Sequence, residues 1–316
     1  MKKKILILLF AVLLLFTGCT KRFTVEGEDK KNSKAYVSNI LCRPTTEELK
    51  DIYIEYEKEA GVKLDELPEC KKFTINESGY EGLWTSIFVK PLAWVVIKVG
   101  VLVKNYGLAI MLVALVLRAV LYPFSKKSTL LSENMKKAKP DLDRLEKKYA
   151  NKTDKEATMM KSQEMMAIYK KYNISPLSGC LFAFLQLPIF FAFLEAVYRV
   201  PVLFEGKFLI FGLGTTPMEG LKAGNYAYII IIVLIIGSTF FSMKNASAAS
   251  MDDAQAKQMK TMNYFMIAFI SIASFQLPTA IALYWIVSSG FTIVQNIILK
   301  KVNSKEPKLK KVKIKK

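Results

Sequence analysis

Histidine is absent from all 316 residues, which removes the commonest general base, proton shuttle and metal ligand at once and leaves enzymatic chemistry little to build on. The four cysteines, Cys19, Cys42, Cys70 and Cys180, contain no CxxC pair, so neither a zinc site nor a dithiol redox motif is indicated. No phosphate-binding loop of the G-x-x-x-x-G-K kind is present, so no nucleotide chemistry is expected, and neither a cofactor nor a metal. Acid is scarce too, with 27 Asp and Glu against 46 Lys and Arg and a net charge of +19. What the chain has is apolar mass: 52% hydrophobic residues and a mean hydropathy of +0.24. Apolar bulk with a basic excess points to bilayer spans joined by segments that face anionic lipid or nucleic acid.

The first residues read as a processing signal. Met1–Lys4 is basic and Ile5–Phe16 is an apolar run too short to cross roughly 30 Å of hydrocarbon. Its end, Leu15-Phe16-Thr17-Gly18-Cys19, resembles a bacterial lipobox, which implies removal of residues 1–18 and acylation of Cys19, palmitate included. The alternative is a plain signal peptide beside an incidental cysteine. On both readings the mature chain begins outside the cytoplasmic membrane.

Residues 19–83 form a polar external segment, in which 20–83 carry 11 basic and 14 acidic residues. Thr45-Thr46-Glu47-Glu48 has the character of a helix start, with a threonine cap and early acids that suit the helix dipole. Cys42 and Cys70 lie in an oxidising compartment, where they either pair or remain two thiols. Residues 84–104 are apolar but punctuated by Lys90, Lys98 and Lys104, which fall on one helix face. That pattern predicts an amphipathic helix in the outer interface, with a buried span as the alternative.

Five spans are expected within residues 105–299: Tyr106–Phe124, Gly179–Tyr198, Tyr226–Met243, Met262–Leu277 and Thr279–Leu299. Residues 125–178 hold 13 Lys and Arg, 244–261 hold 3 and 300–316 hold 9, whereas 200–225 hold only Lys207 and Lys222. The positive-inside rule then makes the first three cytoplasmic, and an external N-terminus followed by five spans requires the same answer. In the 125–178 region Leu131, Met135, Ala138, Leu142, Leu145 and Tyr149 form a heptad seam. Lys139-Pro140 suggests a kink, Asn151–Asp154 a turn and cap, and a second helix follows with Met159, Met165, Met166 and Tyr169 as its apolar positions. The result is a cytoplasmic helical hairpin, read either as a recognition arm with an adaptable methionine face or as a charged spacer. The 300–316 tail, nine lysines and one acid, reads either as a contact for ribosomal RNA or as a topology signal touching anionic lipid.

Polar residues recur inside the spans. Arg118, Gln186 and Thr292 each fall about 10–12 Å from a cytoplasmic span end, at 1.5 Å per residue. Trp285, Ser288, Thr292 and Gln295 share one face of the last span. An intramembrane ionisable group marks function by default, so these six residues are the candidate lining of a cavity open to the cytoplasm. Snorkelling of Arg118 and ordinary hydrogen bonding between helices are the alternatives. Glu195 lies too far along its helix to pair with Arg118.

These residues resemble a known family. Gly107–Ile110, Leu117-Arg118, Leu121-Tyr122-Pro123 and Lys127-Ser128-Thr129 are similar to the first core span of the YidC/Oxa-type membrane protein insertases. Ile174–Leu181 with Gln186–Ala192 resembles their second span, and Leu277–Ala280 with Leu283-Tyr284-Trp285 the entry to their last. A lipoprotein signal with five spans is similar to the short form of Gram-positive bacteria. The resemblance implies an all-α integral membrane protein with five transmembrane helices, an outer interfacial amphipathic helix and a cytoplasmic hairpin. It further implies a hydrophilic groove that accepts nascent membrane proteins and releases them sideways into lipid, with Arg118 as the groove arginine. The ribosome, the Sec translocon and the anionic bilayer are its further partners. The reading from another class is a solute or ion transporter with Arg118 as an anion site, which calls for internal repeats that the chain does not show.

Overall fold

In the computed structural model the described residues are 21–25, 34–77, 79–150, 154–244 and 253–304. The expected signal peptide 1–18, the lipid-attachment residue Cys19 and tail residues 305–316 lie outside them. The chain is mostly helical. Its principal elements are β1 Arg22–Val25, β2 Lys34–Val37, α1 Glu47–Glu55, α2 Lys90–Val103, α3 Tyr106–Val120, α4 Tyr122–Tyr149, α5 Lys155–Lys171, α6 Pro176–Tyr198, β3 Lys207–Phe208, β4 Phe211–Gly212, α7 Tyr228–Lys244, α8 Asp253–Ala273 and α9 Thr279–Ser304. They divide into two units, one of Met1–Val116, Phe184–Ile232 and Ser274–Trp285, the other of Leu117–Ala183, Val233–Ala273 and Ile286–Lys316.

In the first unit residues 21–25 and 34–77 have their own core. β1 and β2 pair antiparallel with Phe23 opposite Tyr36, and Phe23, Ile40, Tyr53, Ala60, Leu64 and Leu67 bury together. Phe23 meets Tyr53 edge to face at 5.5 Å. The Tyr53 hydroxyl donates to the Val37 carbonyl at 2.6 Å, and burial pushes its pKa above the ordinary tyrosine value. Cys42 and Cys70 are joined by a disulfide with their Cα atoms 4.8 Å apart. The all-helical expectation therefore omits a small ribbon, whose four-residue strands are too short for alternation to register.

Helix α1 starts at Glu47 with Thr46 as its cap position, as the sequence suggests, but the threonine hydroxyl does not bond back into the helix. The cap comes instead from Glu205, in the short helix Pro201–Glu205. Its carboxylate accepts from the backbone N–H of Thr45 and Thr46 and from both hydroxyls, at 2.6–3.0 Å. A carboxylate at the positive end of a helix dipole, satisfying two otherwise orphaned donors, stabilises that helix by about 1–2 kcal/mol. Glu205→Gln keeps one acceptor and loses the charge. It is expected to bring forward thermal unfolding of residues 34–77 and their cleavage by added protease in detergent, with Glu205→Ala worse than Gln. Equal stability of all three proteins would refute the cap.

Helix α2 continues a π-helical turn at Thr85–Val89. Two of its lysines reach residues 71–81. Lys90 is fully buried, and Lys98 donates to the Lys71 carbonyl at 3.1 Å. Lys104 ends the helix in the left-handed conformation, φ 55°. The tight turn into α3 depends on Gly100, where a Cβ would collide with the Tyr106 ring.

Among the described residues, Thr85–Val103 and Thr279–Val302 are each long and apolar enough to cross a membrane. Tyr106–Val120 and Tyr122–Tyr149 pass that test together but meet at a 65° bend, and Pro188–Tyr198, Tyr228–Met243 and Tyr264–Ala273 are shorter apolar helices. The first expected span, drawn to Phe124, thus stops at Val120. Pro123 lies in the first turn of α4, where its fixed φ and missing N–H favour a new helix start over continuation.

The second unit contains the hairpin. Helix α4 runs through Pro140 without a break, and α5 returns along it. Met135, Ala138 and Leu142 pack with Tyr169 and Ile174, and Leu145 and Tyr149 with Ala157. Asp154 caps α5 by accepting from Ala157 N at 2.9 Å. Of the expected apolar positions on α5, Met165 and Tyr169 pack in the hairpin beside Ala157 and Ile168, whereas Met159 and Met166 are exposed.

Asp141 on α4 accepts from Lys171 Nζ at 2.6 Å and from the Tyr172 hydroxyl at 2.9 Å. The Lys171 hydrogen bond chiefly holds its carboxyl below the usual range, against the opposing effect of burial and with help from Tyr172. A depressed folded-state pKa gives stability that is present above the unfolded value and lost as pH falls through the folded one. The pair is solvated and contributes under about 1 kcal/mol. Hydrogen-exchange protection of the α4 and α5 amides, corrected for intrinsic rates, should therefore be lower in Asp141→Asn near neutral pH. The difference from wild type should begin to shrink as pH falls below about 4, the unfolded value, and be gone only below the depressed folded-state value; a difference that does not shrink on the acid side would sink the assignment.

Candidate functional site

The strongest polar constellation in the apolar helices lies in the second unit. Arg118 occupies the last turn of α3, half-buried, and its Nε donates to Ser288 Oγ of α9 at 2.5 Å. Past the 65° bend into α4, and two turns further along α9, Ser125 Oγ donates to Gln295 Oε1 at 2.8 Å, with both residues buried. Gln295 Nε2 donates to Thr129 Oγ1 at 3.3 Å, and Thr129 Oγ1 to Asn296 Oδ1 at 3.1 Å. Both partners advance in the same direction, so the chain through Arg118, Ser125 and Thr129 runs parallel to α9. It is stitched to α9 by these side-chain hydrogen bonds.

This seam sorts the expected lining residues. Ser288 is Arg118's hydrogen-bond partner. Gln295 is a buried stitch between helices, the alternative weighed for the stripe. Thr292 turns its hydroxyl onto its own helix, donating to the Ser288 carbonyl at 3.0 Å. Ser125, Thr129 and Asn296 were not singled out from sequence. The available signal was the four-residue spacing of Ser125 and Thr129 just past Pro123, facing the adjacent amides Gln295 and Asn296.

Gln186 and Trp285 belong to the first unit, where α6 and the start of α9 share an aromatic cluster. Trp285 meets Phe190 edge to face at 5.4 Å, and Phe193 stacks on Tyr284 at 4.3 Å. Gln186 Nε2 reaches the Tyr284 hydroxyl at 3.5 Å, a weak contact. Its Oε1 is buried without a hydrogen-bond partner among the described residues. Glu195 does not serve Arg118: it accepts from Trp84 Nε1 at 2.8 Å and lies 3.5 Å from Arg199 Nη1.

The constellation in the second unit thus offers one cation in an apolar helix with hydroxyls and amides beside it; the first unit, by itself, holds a buried amide oxygen near an aromatic cluster. Neither contains a nucleophile–base pair among the described residues. Such a set binds and steers charge and apolar surface. A family model described as the 60Kd inner membrane protein matches residues 98–306. A membrane protein insertase YidC of Alkalihalophilus pseudofirmus is 34% identical over 218 residues, 68% of this chain and 81% of that protein. Membrane protein insertase YidC 2 of Bacillus anthracis is 37% identical over 221 residues, 69% and 82% of the two chains. A crystal structure of an active YidC insertase with its first transmembrane domain resolved shares 26% identity with a TM-score of 0.46, over 78% of this chain; this chain spans 52% of that one.

Proposed function

We infer the function from one premise: this chain belongs to the 60Kd inner membrane protein family, that of the YidC membrane protein insertases. It is a membrane protein insertase of the bacterial cell membrane, and its substrates are nascent membrane proteins. The observation that carries the mechanism is the half-buried guanidinium of Arg118, held on an apolar helix by Ser288.

A new span with a short polar tail must move that tail through hydrocarbon, where each unsatisfied polar group costs several kcal/mol. Arg118, Ser288 and Thr292 line a hydrated groove that reaches part of the way from the cytoplasm and shortens the dry path. The Arg118 charge attracts acidic groups of the arriving tail, more strongly than in water because its surroundings are poorly polarisable. The substrate helix then leaves sideways into lipid by hydrophobic transfer. Five spans, an external lipid-anchored N-terminus at Cys19, an interfacial seat for α2 and a cytoplasmic hairpin complete this reading. The lysine-rich 300–316 tail contacts ribosomal phosphate, and the Sec translocon is a second partner. The transporter alternative has no observation in its favour.

Expression in a bacterium depleted of its own insertase tests the assignment. Restored growth and restored insertion of small membrane proteins are expected. Failure by a well-expressed, correctly inserted chain, repeated in a Gram-positive host, would overturn it.

A further inference from the structure

The hairpin of β3 and β4 turns at Leu209-Ile210. Its base is fixed. Phe208 lies against Gly107 in the first turn of α3, where any Cβ would collide with the phenyl group. Phe211 is buried edge to face against Tyr228 at 5.1 Å, and Gly212 N donates to the Tyr228 hydroxyl at 3.1 Å. The tip is bare: Leu209 is 77% and Ile210 64% exposed. Leu209 also has a φ of 53°. A bulky side chain crowds its own carbonyl there, and a turn facing water ordinarily uses glycine or asparagine.

An aliphatic pair in that conformation, on a rigid base, lacks a reason in water and has one in lipid. The apolar surface does not end at the tip. Below Gly107, α3 exposes Leu108, Leu112, Leu115 and Val116, so an uncovered apolar strip continues from the hairpin along the helix. Lys207, exposed at the hairpin base, suits the phosphate level.

The geometry points to Leu209 and Ile210 as a lipid-immersed anchor at the Gly107 end of α3, the outer leaflet on the reading above, with Lys207 at the headgroups. The inference rests on that reading only in placing α3 in the bilayer. The anchor ties the 200–225 loop to the membrane at the end of the helix that carries Arg118.

The test uses full-length protein with Cys180→Ser in vesicles of phosphatidylcholine and phosphatidylglycerol. Leu209→Cys is labelled with an environment-sensitive fluorophore and quenched by shallow or deep spin-labelled lipid and by aqueous iodide, against a blank without that cysteine. Val116→Cys, about 13 Å further along α3 at 1.5 Å per residue, reports the bilayer interior, and Glu48→Cys, on the exposed face of α1, reports water. The expected result is several-fold stronger quenching at 209 by shallow lipid label than at 48, with iodide quenching reduced several-fold. Iodide quenching at 209 equal to that at 48, with Val116→Cys still quenched by deep label, would place the tip in water and overturn the anchor. A 209 label shielded from both quenchers would mean a protein cover and overturn it equally. Absence of lipid quenching at 116 would instead remove α3 from the bilayer, and the inference with it.

Discussion

In an insertase-depleted strain, Arg118→Ala is expected to lower insertion of a client with an acidic external tail by roughly ten- to a hundredfold. That range follows from about 1.5–3 kcal/mol for hydrogen bonds to a charged group, at a factor of ten per roughly 1.4 kcal/mol. Arg118 keeps its charge at every accessible pH and has five donors, of which Nε is committed to Ser288. Arg118→Lys retains the charge but loses the planar fork that lets one edge hold Ser288 while another faces the client, so it should recover only part of the activity. Ser288→Ala removes an orienting contact and should cost a few-fold. A client whose tail lacks acid should be nearly indifferent to all three changes. Equal insertion of acidic and neutral clients by Arg118→Ala would reduce Arg118 to a snorkelling side chain, the reading its place in the last turn of α3 keeps open.

Much of this was legible because bilayer insertion writes itself into long apolar runs and lysine-rich loops. The hairpin was legible for a related reason: the seam through Met135, Ala138, Leu142, Leu145 and Tyr149 repeats often enough to fix a helix phase. On its partner helix the expected apolar positions divide, Met165 and Tyr169 packing in the hairpin and Met159 and Met166 lying exposed, a division that residue type alone does not carry. The polar stripe was found, but its division was not. Whether a hydroxyl faces a cavity, a neighbour or its own backbone depends on rotation by a fraction of a turn. Thr292 bonding to the Ser288 carbonyl is therefore invisible to spacing. Nor could the sequence show Glu205 capping a helix more than 150 residues earlier, because such a contact needs no local pattern.

Lys90→Met is expected to destabilise the packing of residues 71–82 on α2 by about 3–5 kcal/mol, the range for breaking a buried ion pair by removing one partner. Lys90 is fully buried, and its ammonium has three partners for its three protons: the carbonyls of Glu77 and Gly79 at 2.8 and 2.7 Å, and Glu81 at 3.1 Å. Glu81 also meets Arg199, which pairs with Glu195 and donates to the Asn39 carbonyl. Two cations and two carboxylates are thus balanced around one junction, and methionine, of similar volume, removes only the charge and the donors. The carbonyls at 77 and 79 lose their partner, and the Glu81 carboxylate keeps only Arg199. Thermal unfolding in detergent, followed by protease cleavage near residues 74–82, measures the loss. Adding Glu81→Gln removes the orphaned charge, so the double variant should fall well short of the sum of the two single losses. Strict additivity would show that Lys90 and Glu81 act independently, and the junction would then be packing with incidental charges.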